Sequence, residues 1–178
     1  MQSIALALLI PIRTRERSTL QQPLHAAVSN DNFELARKVL QHGAEVNSPD
    51  DCGRTPLCSM VLGSSPRSEG SRVTISQLLL EYGADVNSRD EEDTTALHDA
   101  SYLQDLEVVW TPLDHGAYVN VEDNRGRTPL HRGLRGHKNE ACFGIAKLLV
   151  KYGADVNARD KYHEPALHLA SCGCEPSY

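Results

Sequence analysis

Aromatic side chains are scarce, at 5% of 178 residues, with two Phe, six Tyr and one Trp. That argues against one core filled by rings and suits thin layers packed with Leu, Val and Ala. A basic excess is also lacking. Eighteen Lys and Arg stand against 24 Asp and Glu, a formal net charge of −6, which disfavours nucleic acid as the main partner. The five cysteines show no paired, regular spacing, so no disulfide framework is indicated. Their odd number reads as reduced thiols in the cytoplasm or nucleus. Long apolar runs are absent too. The stretch Ser3 to Ile10, ended by Pro11, is too short to span a bilayer, and no membrane contact is expected. As a leader it lacks a basic start, because Arg13, Arg15 and Arg17 come after it. Residues 1–18 are therefore expected to form a short segment that caps the apolar end of the neighbouring structure.

Catalytic signatures are missing as well. The chain contains no phosphate loop, no nucleophile elbow and no helical His-Glu metal motif. Cys172-Gly173-Cys174, with His168 nearby, is a tight cluster of metal-type residues, but it lacks the two-pair spacing of a zinc site. The expectation is a non-catalytic protein without metal or cofactor.

What the chain has is repetition. His42-Gly43-Ala44-Glu45-Val46-Asn47 recurs as Tyr82-Gly83-Ala84-Asp85-Val86-Asn87, His115-Gly116-Ala117-Tyr118-Val119-Asn120 and Tyr152-Gly153-Ala154-Asp155-Val156-Asn157. A second phrase interleaves with it: Gln22-Pro23-Leu24-His25, Thr55-Pro56-Leu57-Cys58, Thr95-Ala96-Leu97-His98, Thr128-Pro129-Leu130-His131 and Pro165-Ala166-Leu167-His168. Its leucines fall at 24, 57, 97, 130 and 167, spacings of 33, 40, 33 and 37. A period of 33 with insertions of seven and four residues marks a stacked array in which each unit touches only its neighbours.

The Thr-Pro-Leu-His phrase is expected to open the first helix of each unit. Thr55 and Thr128 would cap free N–H groups, Pro56 and Pro129 would occupy the first turn, and the leucine would point inward. Second helices are expected to bury Leu35, Val39 and Leu40; Ile75, Leu79 and Leu80; and Ile145, Leu149 and Val150. Gly43, Gly83, Gly116 and Gly153 would end these helices in the left-handed conformation. The Val of each Val-Asn pair would pack inward, with the Asn supporting the adjoining turn. Asp50, Asp90, Asp123 and Asp160 recur three residues after each Asn and are expected as solvated loop tips. Asp93 and His163 stand where these turns favour glycine. Pro112 and Thr111 replace apolar residues in the second helix of the third unit. The proline removes a helical bond at a cost of about 3 kcal/mol, which makes that unit the expected weak link. Trp110 occupies a nearby position that ordinarily faces solvent, unless it covers the distortion at Pro112. Gly63 to Arg72 and Gly136 to Phe143 hold the two insertions, expected as loops between the paired helices.

The two phrases together resemble the ankyrin repeat over residues 19 to 171. The resemblance implies an all-α solenoid of helix-turn-helix units joined by hairpin loops, with four repeats and a C-terminal half repeat. The units run 19–47, 48–87 with its inter-helix insertion, 88–120, 121–157 with a short insertion, and a partial unit over 158–178. It also implies that the phrase histidines tie neighbouring loops together, with Cys58 unable to do so. The function implied is binding of a partner protein by a rigid monomeric scaffold through its concave face. On that face the family exposes first-helix positions that correspond to Ser29, Asn30, Ser59, Asp99, Tyr102, Leu103, Arg132 and Arg135. Tyr102 and Arg132 are favoured as binding anchors, Tyr and Arg being over-represented at hot spots. The acidic tips, above all Asp90, Glu91, Glu92 and Asp93, suit a basic partner segment. A stand-alone inhibitor of a partner enzyme and a fragment of a larger multidomain protein are the alternative readings.

Overall fold

The computed structural model describes residues 17–63, 71–135 and 140–171. The apolar run Ser3 to Ile10, the insertion residues 64–70 and 136–139, and the Cys172-Gly173-Cys174 cluster lie outside them. The described residues form nine helices: α1 (Arg17–Ser29), α2 (Phe33–Gln41), α3 (Pro56–Leu62), α4 (Ser71–Glu81), α5 (Ala96–Leu103), α6 (Leu106–Asp114), α7 (Pro129–Leu134), α8 (Glu140–Lys151) and α9 (Ala166–Ser171). Odd-numbered helices pack side by side in chain order, and α2, α4, α6 and α8 form a second row behind them. The first four odd-numbered helices each pack on the next helix in the chain. This is the two-row stack that a 33-residue period predicts.

Leu24, Leu57, Leu97 and Leu130 are buried between the rows, each burial contributing about 2 kcal/mol. Leu167 is exposed, since among the described residues no second helix of its own unit covers it. The phrase opens α3, α5 and α7 as expected, but not the first helix. There α1 begins at Arg17, and Pro23 lies within it.

Burial in the second row is shifted from the expected pattern. Leu35 and Val150 are exposed, while Ala36, Leu78 and Cys142 are buried beside Val39, Leu40, Ile75, Leu79, Ile145 and Leu149. A helix of 3.6 residues per turn places 36, 39 and 40, or 142, 145 and 149, on one side. Neighbours of these positions rotate outward however apolar they are. Pro112 is buried inside α6, which continues to Asp114. The Thr111 hydroxyl donates to the Glu107 carbonyl at 3.2 Å, and the helix is not broken.

Two hydrogen-bond ladders join the units. The first uses the asparagines, whose role is wider than support of their own turn. The Asn47 amide donates to the Gly83 carbonyl and accepts from the Asp85 N–H. Asn87 does the same with Gly116 and Tyr118, and Asn120 with Gly153 and Asp155. Each asparagine thus clamps the glycine turn of the next unit, where Gly83, Gly116 and Gly153 have φ of 85°, 82° and 91°.

The second ladder uses the phrase histidines. Nδ1 of His98 accepts from the Thr95 N–H at 3.2 Å, and Nε2 contacts the Arg127 carbonyl at 2.9 Å. His131 repeats this with Thr128 and the Glu164 carbonyl. The acceptor role of Nδ1 leaves the proton on Nε2, which donates to the next loop. Threonine and histidine thus form a reciprocal capping box: the Thr95 and Thr128 side chains face the backbone N–H groups of His98 and His131, and each histidine serves its threonine in return. Burial drives His98 down to about 4, against the hydrogen bond to the Arg127 carbonyl, so it is neutral at physiological pH. In the second unit the Thr55 hydroxyl reaches the Cys58 sulfur at 3.6 Å. Burial pushes that thiol up to about 11. His25 reaches forward differently, to the Ser59 hydroxyl and the Ser48 carbonyl.

Candidate functional site: the hairpins and the first-helix face

A hairpin precedes each of α3, α5, α7 and α9, and an aspartate organises every one of them. Oδ1 of Asp90 accepts the backbone N–H groups of Glu92 at 2.9 Å and Thr94 at 2.8 Å. Asp50 receives Cys52 and Arg54, Asp123 receives Arg125 and Arg127, and Asp160 receives Tyr162 and Glu164. The expectation of solvated tips fails for these four residues. Asp123 and Asp160 are buried, and Asp50 and Asp90 are half-buried. The reason is geometric: a carboxylate that accepts N–H groups two and four residues ahead must sit inside its own turn. Asp93 and His163 take the positive-φ position with φ of 58° and 62°, where Gly53 and Gly126 stand in the other hairpins. Successive hairpins are joined by backbone bonds from Glu91 to Cys52, Asn124 to Glu92 and Lys161 to Arg125.

An arginine four residues after the aspartate completes two of these turns. Arg54 pairs with Asp50 at 2.8 Å, and Arg127 pairs with Asp123 at 3.0 Å. Burial alone would raise Asp123, but the N–H groups of Arg127 and Arg125 and the Arg127 guanidinium hold it below its ordinary value. The third unit has Thr94 in place of that arginine. Arg132 reaches over from α7 and donates from Nη2 to the Thr94 hydroxyl at 2.8 Å. Its Nε lies 3.3 Å from Asp123 Oδ2, without the alignment of a hydrogen bond.

The candidate binding residues therefore divide. Glu91, Glu92 and Asp93 are exposed on one hairpin, with Asp93 3.6 Å from Arg89. Asp90 belongs to the framework of that hairpin. Tyr102 is 52% exposed near the end of α5, and Arg135 is exposed at the C-cap of α7. Arg132 is half-buried and engaged within the stack, so it is not the projecting side chain expected.

Asp99 departs furthest from expectation. Its place in the first helix implies exposure, yet it is only 7% exposed, sunk between α5 and its neighbours. Ser59, expected on the same face, is also buried. Residues 99 and 102 are three apart on α5, so Asp99 and Tyr102 share one side of that helix. Burial pushes the Asp99 carboxyl up to about 6. Arg132 pulls against the rise, Asp90 adds to it, Arg54 opposes it and Glu92 adds to it.

Two recesses lie elsewhere. One of about 260 Å³ is lined by residues of α1, α3 and the Asp50 hairpin, including His25, Ser29, Arg54 and Ser59. A larger apolar groove of about 590 Å³ runs over the second row, lined by Val73, Leu106, Glu107, Trp110 and Leu148. Trp110 is thus a groove wall on the outer row. Among the described residues, no three His, Cys, Asp or Glu side chains converge as metal ligands. No helix among them is long and apolar enough to cross a membrane.

The aspartate-arginine spacing of four, repeated at 50/54 and 123/127, is visible in the sequence and signals the turn framework. The reach of Arg132 across to Thr94 has no such signal, because it joins residues 38 positions apart.

The family profile described as ankyrin repeats (3 copies) matches residues 3–90, 24–123 and 66–160. The chain belongs to the ankyrin-repeat family. Inversin from Canis lupus familiaris is 33% identical over 164 residues, which cover 90% of this chain and 14% of that protein. The E3 ubiquitin-protein ligase KEG of Arabidopsis thaliana is 29% identical over 84% of this chain and 9% of its own length. A putative ankyrin repeat protein of fowlpox virus, FPV219, is 29% identical over 78% of this chain and 29% of its own. The chain thus spans a small part of the relatives it matches. Ankyrin repeats generally mediate protein–protein interaction, and the family is generally non-catalytic.

Proposed function

We propose that this ankyrin stack is a non-catalytic recognition scaffold that holds a basic segment of a partner protein against its hairpins and first-helix face. The observation that carries this reading is the hairpin of the third unit, ahead of α5. Glu91, Glu92 and Asp93 are exposed together there, and the exposed Tyr102 stands on the adjoining helix α5. Carboxylates at a tip steer a cationic segment and set its register, while an aromatic side chain supplies contact area at little entropic cost. The stack acts as a rigid monomer with preformed hairpins, so binding involves little shape change. Its exposed Cys52 thiol fits the cytoplasm or nucleus as the working compartment. Neither nucleic acid nor a membrane is the ligand in this reading.

The test is an array of synthetic peptides of graded charge, probed with the wild type and with a Glu91→Gln, Glu92→Gln, Asp93→Asn variant. Binding that rises with peptide positive charge, weakens with salt and weakens in the variant supports the proposal. Equal binding of neutral and basic peptides sinks it. Asp90 is left intact, because its loss would damage the hairpin itself.

A further inference from the structure

Asp99 is a largely buried residue whose carboxylate is not held by the turn bonds that hold the hairpin aspartates. No hydrogen bond or ion pair reaches its side chain among the described residues, although it is more than nine-tenths buried. The deeply buried aspartates of the hairpins, Asp123 and Asp160, each accept two backbone N–H groups. The strongest charges on Asp99 are Arg132 from α7, Asp90 and Glu92 from the hairpin ahead of it, and Arg54 from the preceding hairpin, and the titratable thiol of Cys58 on α3 also feels its charge. Both cations are engaged elsewhere, Arg54 with Asp50 and Arg132 with Thr94 and close to Asp123. An ionised, unpaired carboxylate flanked by two further carboxylates is complementary to one positive charge.

We propose that Asp99 is the floor of a socket for a single lysine or arginine side chain of the partner, which enters beside the hairpin of the third unit and pairs with this carboxylate. The inference rests on the reading of a basic ligand segment and assigns the residue that fixes its register. A metal ion is a poor alternative occupant. Oδ1 of Asp90 is committed to its own turn, and no set of three ligand side chains is present among the described residues. A slender cationic side chain needs only one carboxylate and brings its own hydrogen-bond donors. The pairing is also proton-linked. With the carboxyl ionising at about 6, only about one tenth of the protein carries the charge at about pH 5.

The test uses fluorescein-labelled hexa-arginine and hexa-lysine peptides, with hexa-glutamine as the neutral control, read by fluorescence anisotropy at low salt. The wild type is compared with Asp99→Asn, which is nearly isosteric, and with Glu91→Gln at the exposed tip. The socket predicts about tenfold weaker binding for Asp99→Asn and less than about threefold for Glu91→Gln. It also predicts about tenfold weaker wild-type binding at about pH 5 than at about pH 7.5, with that dependence lost in Asp99→Asn. Circular dichroism confirms that the variant is folded, and the wild-type pH profile tests the socket even without it. Basic peptides that bind both proteins equally, with the same pH profile, would overturn the socket and leave the acidic-face reading standing. Wild-type protein that binds them no better than hexa-glutamine would overturn both.

Discussion

Replacing Asp99 by asparagine removes a charge that the folded stack holds at a loss. The carboxyl ionises at 3.8 in the ordinary case and at about 6 here. Below 3.8 it is neutral in both folded and unfolded chains and costs nothing. Between 3.8 and about 6 the unfolded chain releases its proton first, so stability falls as pH rises. Above about 6 the full cost is present. At 1.36 kcal/mol for each tenfold change in proton affinity, that cost is about 3 kcal/mol. The neutral amide retains part of the desolvation penalty, so Asp99→Asn is expected to stabilise the protein by about 1–3 kcal/mol at about pH 7.5. The gain should shrink to near zero at about pH 4. His98 acts in the opposite sense. Its folded value of about 4 means that stability is lost as pH falls from 6.5 towards 4, in wild type and variant alike, and it cancels in the difference. Urea unfolding at a series of pH values, monitored by circular dichroism, gives that difference directly. A variant that is less stable at neutral pH, or a difference that does not change with pH, would refute the picture of a buried, unpaired charge. The same substitution is expected to weaken peptide binding. Gain of stability with loss of binding is the signature of a group held for function at the expense of the fold.

The hairpin framework and the proline in α6 give three more expected outcomes. Asp90→Ala removes the acceptor for the Glu92 and Thr94 N–H groups. It should cost about 1–2 kcal/mol and speed amide exchange at those two residues, whereas Glu91→Gln should change stability by less than about 0.5 kcal/mol. Arg127→Ala strips the buried Asp123 of its guanidinium partner and should cost about 3 kcal/mol at neutral pH, measured by urea unfolding. The stabilisation tied to Asp123 is present above its ordinary value of 3.8 and lost as pH falls through its lower folded value, so the penalty should narrow in acid. Pro112→Leu restores the helical N–H missing within α6 and should raise stability by about 1–3 kcal/mol, seen as a higher urea midpoint at unchanged slope. No gain would mean that α6 has already absorbed its proline. Trp110 fluorescence compared with circular dichroism in the same titration shows whether the third repeat unfolds with the rest.

The sequence alone determined the architecture, because an array of near-identical units writes its geometry at a fixed period. Leu24, Leu57, Leu97 and Leu130, the glycine turns and the left-handed sites at Asp93 and His163 are all readable, since each is set by local backbone chemistry or by burial against an adjacent copy. Tertiary structure alone decided the rest, and always for residues whose state depends on how the chain closes around them. Asp123 and Asp160 read as surface charge until their turns enclose them. Arg132 reads as a projecting anchor until Thr94 comes within its reach, across a gap of 38 residues. Asp99 occupies a position that is expected on the exposed face. Whether a carboxylate there meets water or is sunk between neighbours depends on how Arg132, Arg54 and the hairpin of the third unit pack around it. No local pattern carries that information, because burial and the electrostatic environment are properties of the assembled stack.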